Sequence, residues 1–152
     1  MKQGDTIRVT KQFSFDMAHA LEGYDGPCKN IHGHTYRLAV TVSGKLINDP
    51  SHPKNGMVID FTDFKSIVQK QVVKVFDHSL VLQRCSVFAQ LLHQQIKENN
   101  ILLTDYQPSC ENLVIDCKNR IISHLPEEIT LESVRLDETP TSYAEWFRTD
   151  NL

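Results

Sequence analysis

The chain reads as an α+β protein in which an antiparallel sheet of four strands carries helices on one face. Three observations predict this. Segments near both ends alternate apolar and polar residues, the middle repeats apolar residues at three- and four-residue intervals, and clusters of Gly, Pro, Asp and Asn separate the two kinds of segment. The order is therefore strands, helices, strands. With 152 residues, the chain suits one domain spanning 1–152, able to bury a core without disulfides.

Ile7, Val9, Phe13, Phe15 and Met17 form one oily face of a first strand, with a bulge or edge position expected at Lys11-Gln12. Ala20 to Pro27, rich in Gly and Asp, is a loop, and Leu38, Val40 and Val42 alternate along a second strand. Gly44 to Gly56, with Asp49-Pro50 and Pro53, is another turn-rich connection, in which His52 is solvated. Phe61, Phe64, Ile67, Val68, Val72, Val75 and Phe76 then oppose Lys65, Gln69, Lys70 and Lys74, the pattern of an amphipathic helix lying on a sheet. Asp60 or Thr62 caps its start, and Asp77-His78 falls at its end. A second helix starts at Ser86 and runs toward Asn99, with Phe88, Leu91, Leu92 and Ile96 inward and His93 on its surface. A third follows Pro108-Ser109 and stops before Pro126, with Leu113, Val114, Cys117, Ile121 and Ile122 on a broad apolar face. Cys117 is thus core, and His124 complements the helix dipole. Thr130 to Glu138 and Ser142 to Phe147 are closing strands joined by Thr139-Pro140-Thr141.

A formal charge of −3 gives no basic footprint, so neither nucleic acid nor an anionic membrane is an expected partner. A small anionic substrate needs only local positive charge. Cys28, Cys85, Cys110 and Cys117 show no short paired spacing, and neither a signal peptide nor a long apolar span is evident, which points to a reducing cytoplasm. Four strands leave edges that must be covered or paired, and an oligomer joining sheets across subunits would do so.

Chemistry is concentrated in Cys28-Lys29-Asn30-Ile31-His32-Gly33-His34 and His19. Strand side chains two apart share a face, so His32 and His34 aim together if Gly33 does not break the run. Antiparallel pairing with the first strand could bring His19 alongside them. Three imidazoles leave a position open, the ligand count of a catalytic zinc site, whereas structural zinc is usually closed by four ligands. Hydrogen-bonded strand histidines without a metal are the alternative. Cys28 could close the site as a fourth ligand or stand beside it as a reactive thiol whose pKa a nearby cation lowers. Asp77-His78, read locally, is a capping and solvated pair; a proton-transfer histidine oriented by a carboxylate is the sharper reading.

Six motifs are spread along the chain: Phe13-Ser14-Phe15-Asp16-Met17-Ala18-His19, Cys28 followed by His32-Gly33-His34, Met57-Val58-Ile59-Asp60-Phe61, Asp77-His78, Pro108-Ser109-Cys110-Glu111-Asn112-Leu113 and Leu136-Asp137-Glu138-Thr139. Together they resemble the 6-pyruvoyltetrahydropterin synthase and 6-carboxytetrahydropterin synthase family. Cys110 departs from the family's common Ser or Ala, and the stretch from Arg84 to Gln107 is longer than in short bacterial members. The resemblance implies zinc on His19, His32 and His34, a catalytic thiol at Cys28 partnered by Asp77 and His78, and a pterin anchored at Glu138 and Thr139. It further implies a tunnelling fold, in which trimers close their sheets into a barrel and stack as a homohexamer with sites between subunits. The implied substrate is 7,8-dihydroneopterin triphosphate. The bacterial queuosine branch, favoured by the compact Cys-x-x-x-His-Gly-His loop, yields 6-carboxy-5,6,7,8-tetrahydropterin; the other branch only eliminates triphosphate. A non-catalytic, zinc-stabilised assembly module is the competing class.

Overall fold

A computed structural model describes residues 4–95 and 100–152, with 93–95 described by their backbone alone. The expectations for His93 and Ile96 lie outside the described side chains. Among the described residues six strands form one mixed sheet: β1 (Thr6–His19), β2 (His32–Lys45), β3 (Ser79–Gln83), β4 (Ile101–Thr104), β5 (Thr130–Thr139) and β6 (Ser142–Phe147), in the order β4-β3-β1-β2-β5-β6. The expected four antiparallel strands correspond to β1, β2, β5 and β6, which do pair antiparallel. The correction is β3 and β4, which add in parallel beside β1. Each is a short apolar run whose partner lies far along the chain, so neither alternation nor a hairpin turn announces it.

β1 and β2 form a long hairpin in continuous register, from Thr6 opposite Lys45 to His19 opposite His32. The bulge expected at Lys11-Gln12 is absent. Lys11 keeps the inward parity of Val9 and Phe13, and its ammonium lies 5.5 Å from the centre of the Phe61 ring, so a charged head is accommodated at the rim of an apolar face. The register instead shifts between Thr41 and Val42 against β5.

On the inner face Phe15, Met17, Tyr36, Leu38, Val40, Val42, Val134 and Leu136 are buried and belong to the main core. Helix α1 (Phe61–Val68) starts where the Asp60 carboxylate accepts from Thr62 N–H, runs into a π-helical stretch, Gln69–Val73, and ends in the short α2 (Lys74–Phe76). The single α-helix expected over this segment is thus interrupted, for a reason visible in its spacing. Phe64, Val68, Val72 and Phe76 are all fully buried and recur every four residues, a stripe that would rotate off the core on a 3.6-residue helix. The wider turn keeps them on one face.

Helix α4 (Cys110–Ile122) starts at Ser109, whose hydroxyl accepts from Asn112 N–H, and buries Leu113, Val114, Cys117 and Ile121. Ile122 is exposed, so the apolar face is narrower than its composition suggests. Helix α3 (Val87–Gln95) lies elsewhere. Ala89 shares a second apolar cluster with Ala20, Leu82, Leu80, Phe88, Leu92, Ile101 and Leu103, whereas Val81 and Leu102 face the main core. Alternation along β3 and β4 therefore puts α3 on the opposite face, so the helices do not all share one side. Leu91, expected inward, is exposed.

Candidate metal and substrate site

The hairpin register does most of the assembly. His19 pairs directly with His32, Met17 pairs with His34, and Gly33 lets the run stay extended, so three imidazoles meet on the inner face at one end of the sheet. A Cβ on residue 33 would sit 3.2 Å from the Met17 carbonyl, which favours glycine at this crossing. Two rings are aimed by backbone carbonyls. His19 Nδ1–H donates to Pro108 O at 2.7 Å and His32 Nδ1–H to Asn30 O at 2.8 Å. A carbonyl only accepts, so each Nδ1 carries the proton and each Nε2 is left as a lone pair.

Those lone pairs converge. His19 Nε2 and His32 Nε2 are 3.2 Å apart, and the ligand atoms of all three histidines lie within 4.8 Å of one another. His34 Nε2 is buried without a hydrogen-bond partner. Two facing acceptors and an orphaned third are unfavourable together unless a cation sits among them, so this donor set fits a metal ion. Burial holds His19 and His34 below the ordinary imidazole value, with Glu138 opposing that shift in both and the Pro108 bond in His19. The neutral, metal-binding form is favoured.

Glu138, at the end of β5, brings a carboxylate to this group, with Oε1 3.6 Å from His19 Nε2 and 4.0 Å from His34 Nε2. Tyr36 O–H donates to the same oxygen at 3.2 Å and lies 3.4 Å from His19 Nε2. Its phenol is pushed well above its usual range, first by burial and then by the Glu138 charge, so it remains a donor. Sequence reasoning missed Tyr36. Its signal was parity, since it follows His32 and His34 at the same two-residue step. Thr139 Oγ1 accepts from Thr141 N–H in the hairpin turn, while Glu138, Thr139, His34 and Arg37 line one cleft of about 940 Å³.

Cys28 lies in a short 3-10 turn, Pro27–Lys29, partly exposed and outside the three-histidine group. Asp77 and His78 are arranged separately. Asp77 Oδ1 accepts from Asp16 N–H at 3.0 Å and lies 3.0 Å from His78 Nδ1, and the Asp16 bond leads the lowering of its pKa. His78 has φ 59° and gives its N–H to Asp16 O at 2.7 Å. Its ring is largely exposed and lines a cavity of about 590 Å³ with Asp16, His34 and Thr35. No hydrogen bond joins this pair to Cys28 among the described residues.

Fold and site together define a sheet protein whose three convergent histidines could hold a metal ion, with an inward carboxylate at their edge. Residues 8–149 match the family described as 6-pyruvoyl tetrahydropterin synthase. The chain belongs to that family. It is 41% identical over 144 residues to the 6-carboxy-5,6,7,8-tetrahydropterin synthase of Haemophilus influenzae, covering 92% of this chain and 98% of that one. The protein of the same name from Rickettsia bellii is 30% identical over 142 residues, covering 91% and 99%. Among solved structures, an uncharacterized protein from Wolinella succinogenes superposes with a TM-score of 0.76 at 17% identity, covering 95% of this chain and 99% of that one. The 6-pyruvoyl tetrahydropterin synthase of Caenorhabditis elegans does so with 0.67 at 23%, covering 97% and 99%; these two likenesses concern the fold alone.

Proposed function

We propose that this protein, one domain over 1–152, is a zinc-dependent lyase. It converts 7,8-dihydroneopterin triphosphate and one water into 6-carboxy-5,6,7,8-tetrahydropterin, acetaldehyde and triphosphate, in 7-deazaguanine (queuosine) biosynthesis. The observation that carries this reading is the convergence of His19, His32 and His34 beside Glu138. The names of the relatives at 41% and 30% identity favour the carboxy product over triphosphate elimination alone.

A zinc ion on His19, His32 and His34 supplies Lewis acidity toward the substrate's side-chain hydroxyls. Glu138 accepts together from the ring N–H and exocyclic amine of the pterin, a two-point match, with Thr139 beside it. Tyr36 holds the carboxylate in place. Cys28 takes the carbon-bound proton, and His78, oriented by Asp77, returns protons to substrate oxygen or carbon. In the assembly that the family resemblance implies, the exposed His78 ring and Asp77 serve the thiol of a neighbouring subunit. β4 and β6 end the described sheet, and pairing of such edges builds the trimers of a homohexamer.

No helix among the described residues is long and apolar enough to cross a membrane, in keeping with a cytoplasmic enzyme. A non-catalytic zinc module closed by Cys28 is disfavoured, since the thiol stands outside the ligand group. Incubation of the zinc-loaded protein with 7,8-dihydroneopterin triphosphate, with products identified by mass spectrometry, tests the proposal. The carboxy pterin with acetaldehyde is expected; a pyruvoyl product moves the protein to the other branch, and absence of turnover refutes it.

A further inference from the structure

The connection 20–31 joins two of the three histidines and carries Cys28. Its internal bonds set only its local shape: Leu21 N–H donates to Cys28 O at 2.9 Å, Lys29 N–H to Gly26 O at 3.3 Å and Asn30 N–H to Pro27 O at 3.1 Å. Among the described residues, the hydrogen bonds that tie it to remote parts of the chain pass through Glu22. Val87 N–H, at the start of α3, donates to the Glu22 carboxylate, 2.8 and 2.9 Å from its two oxygens. Gln107 Nε2–H donates to the Glu22 carbonyl at 2.8 Å.

Both partners are informative. Ser86 Oγ already accepts from Ala89 N–H, so Glu22 satisfies a different free N–H of the first turn, where the helix dipole also favours its charge. Gln107 directly precedes Pro108, whose carbonyl aims His19. One dipeptide thus holds both a ligand ring and the loop that carries the thiol. Buried Ala20 packs with Leu82 and Ala89, fastening the start of the loop to the same helix. Val87 and Gln107, near the two ends of the long stretch from Arg84 to Gln107, therefore both grip the thiol loop close to its start, and the Leu21 N–H bond to Cys28 O carries that hold to the thiol turn.

We propose that Glu22 is a positioning residue for Cys28, clamping the loop to α3 and Gln107 so that the thiol holds its place relative to the three-histidine group. The proposal rests on the reading of Cys28 as the proton acceptor.

The test compares Glu22→Ala, Glu22→Gln and Gln107→Met with the parent, all in a Cys85→Ser background. Zinc content, kcat, KM and the rate of Cys28 alkylation by iodoacetamide, read from its peptide by mass spectrometry, are measured. Glu22→Ala is expected to keep its zinc and KM while kcat falls about tenfold, the scale of a sub-ångström misplacement. Its Cys28 alkylation rate changes by about threefold or more as the access of the thiol changes. Glu22→Gln keeps one oxygen for Val87 N–H and stays close to the parent in both readouts. Gln107→Met shifts both in the same direction as Glu22→Ala, and carries the test if that variant does not fold. Unchanged kcat and alkylation in the folded variants overturn the clamp, as does a Glu22→Gln protein as impaired as Glu22→Ala. If the parent has no turnover, the functional reading fails, and the alkylation rates still decide the clamp.

Discussion

Replacing Tyr36 by Phe removes one hydroxyl and little else. The ring is fully buried and stacks on Phe15 with centroids 5.6 Å apart and planes 15° from parallel, contacts that Phe preserves. What is lost is the 3.2 Å bond to Glu138. A hydrogen bond to a charged acceptor contributes about 1.5–3 kcal/mol, and the low end applies because the Glu138 side chain is 23% exposed and water can partly replace the donor. A loss of about 1.5 kcal/mol corresponds to roughly tenfold in binding if the freed carboxylate no longer presents both oxygens to the pterin. For a domain of this size the same loss lowers Tm by about 4 °C. Steady-state kinetics on the pterin triphosphate, with melting and metal analysis on the same samples, should show KM raised about tenfold, kcat changed by less than about threefold and zinc retained. Unchanged KM and Tm would refute the idea that Tyr36 orients Glu138, and loss of zinc would assign the hydroxyl to the metal site instead.

Cys28→Ala should retain about one zinc per chain while turnover falls about 10³-fold, and loss of metal with the thiol would favour a four-ligand structural site. His32→Ala should abolish stoichiometric zinc and the zinc-dependent rise in Tm, worth about 2.7 kcal/mol at a hundredfold excess over Kd in the parent. The metal-free protein should lose stability on acidification: burial keeps His19 and His34 neutral in the fold, so their contribution is present in full above the ordinary value of 6.5 and is lost as pH falls below it toward the folded values. Melting in chelator across that range checks this, and a rise in Tm on acidification would contradict it. Burial, with the Glu138 charge second, pushes the Cys110 thiol up to about 12, so alkylation mapping at pH 8 should leave it unmodified while exposed Cys85 reacts.

The meeting of the three histidines was legible in the sequence because its geometry is local to one hairpin. Alternation in β1 and β2 fixes which side chains share a face, and antiparallel pairing then needs only the right register to bring His19 to His32. The start of α1 was legible for the same reason: the cap was narrowed to Asp60 or Thr62, and the Asp60 carboxylate accepts from the Thr62 N–H. β3 and β4 were not, since parallel pairing of short apolar runs depends on partners distant in the chain. The proximity of Glu138 to the histidines was likewise invisible locally: β5 joins β2 about a hundred residues after the histidine motif, and only family resemblance marked the residue. Tyr36 was overlooked because an aromatic at an inward strand position ordinarily belongs to the core, and here it belongs to the core and the site together.

The uninterrupted β1–β2 register has a consequence for how the empty and loaded protein should move. His19 and His32 close the connection between the strands as a cross-link would, so an ion shared by them removes chain entropy from every state in which that end of the hairpin opens. Without the ion, opening can begin at the pair and run inward along the ladder, releasing Cys28 with its loop. Amide exchange in residues 17–19 and 32–34 should therefore slow on metal loading far more than in the Thr6–Lys45 end of the same two strands, so that a bound ion decides which end of the hairpin frays first.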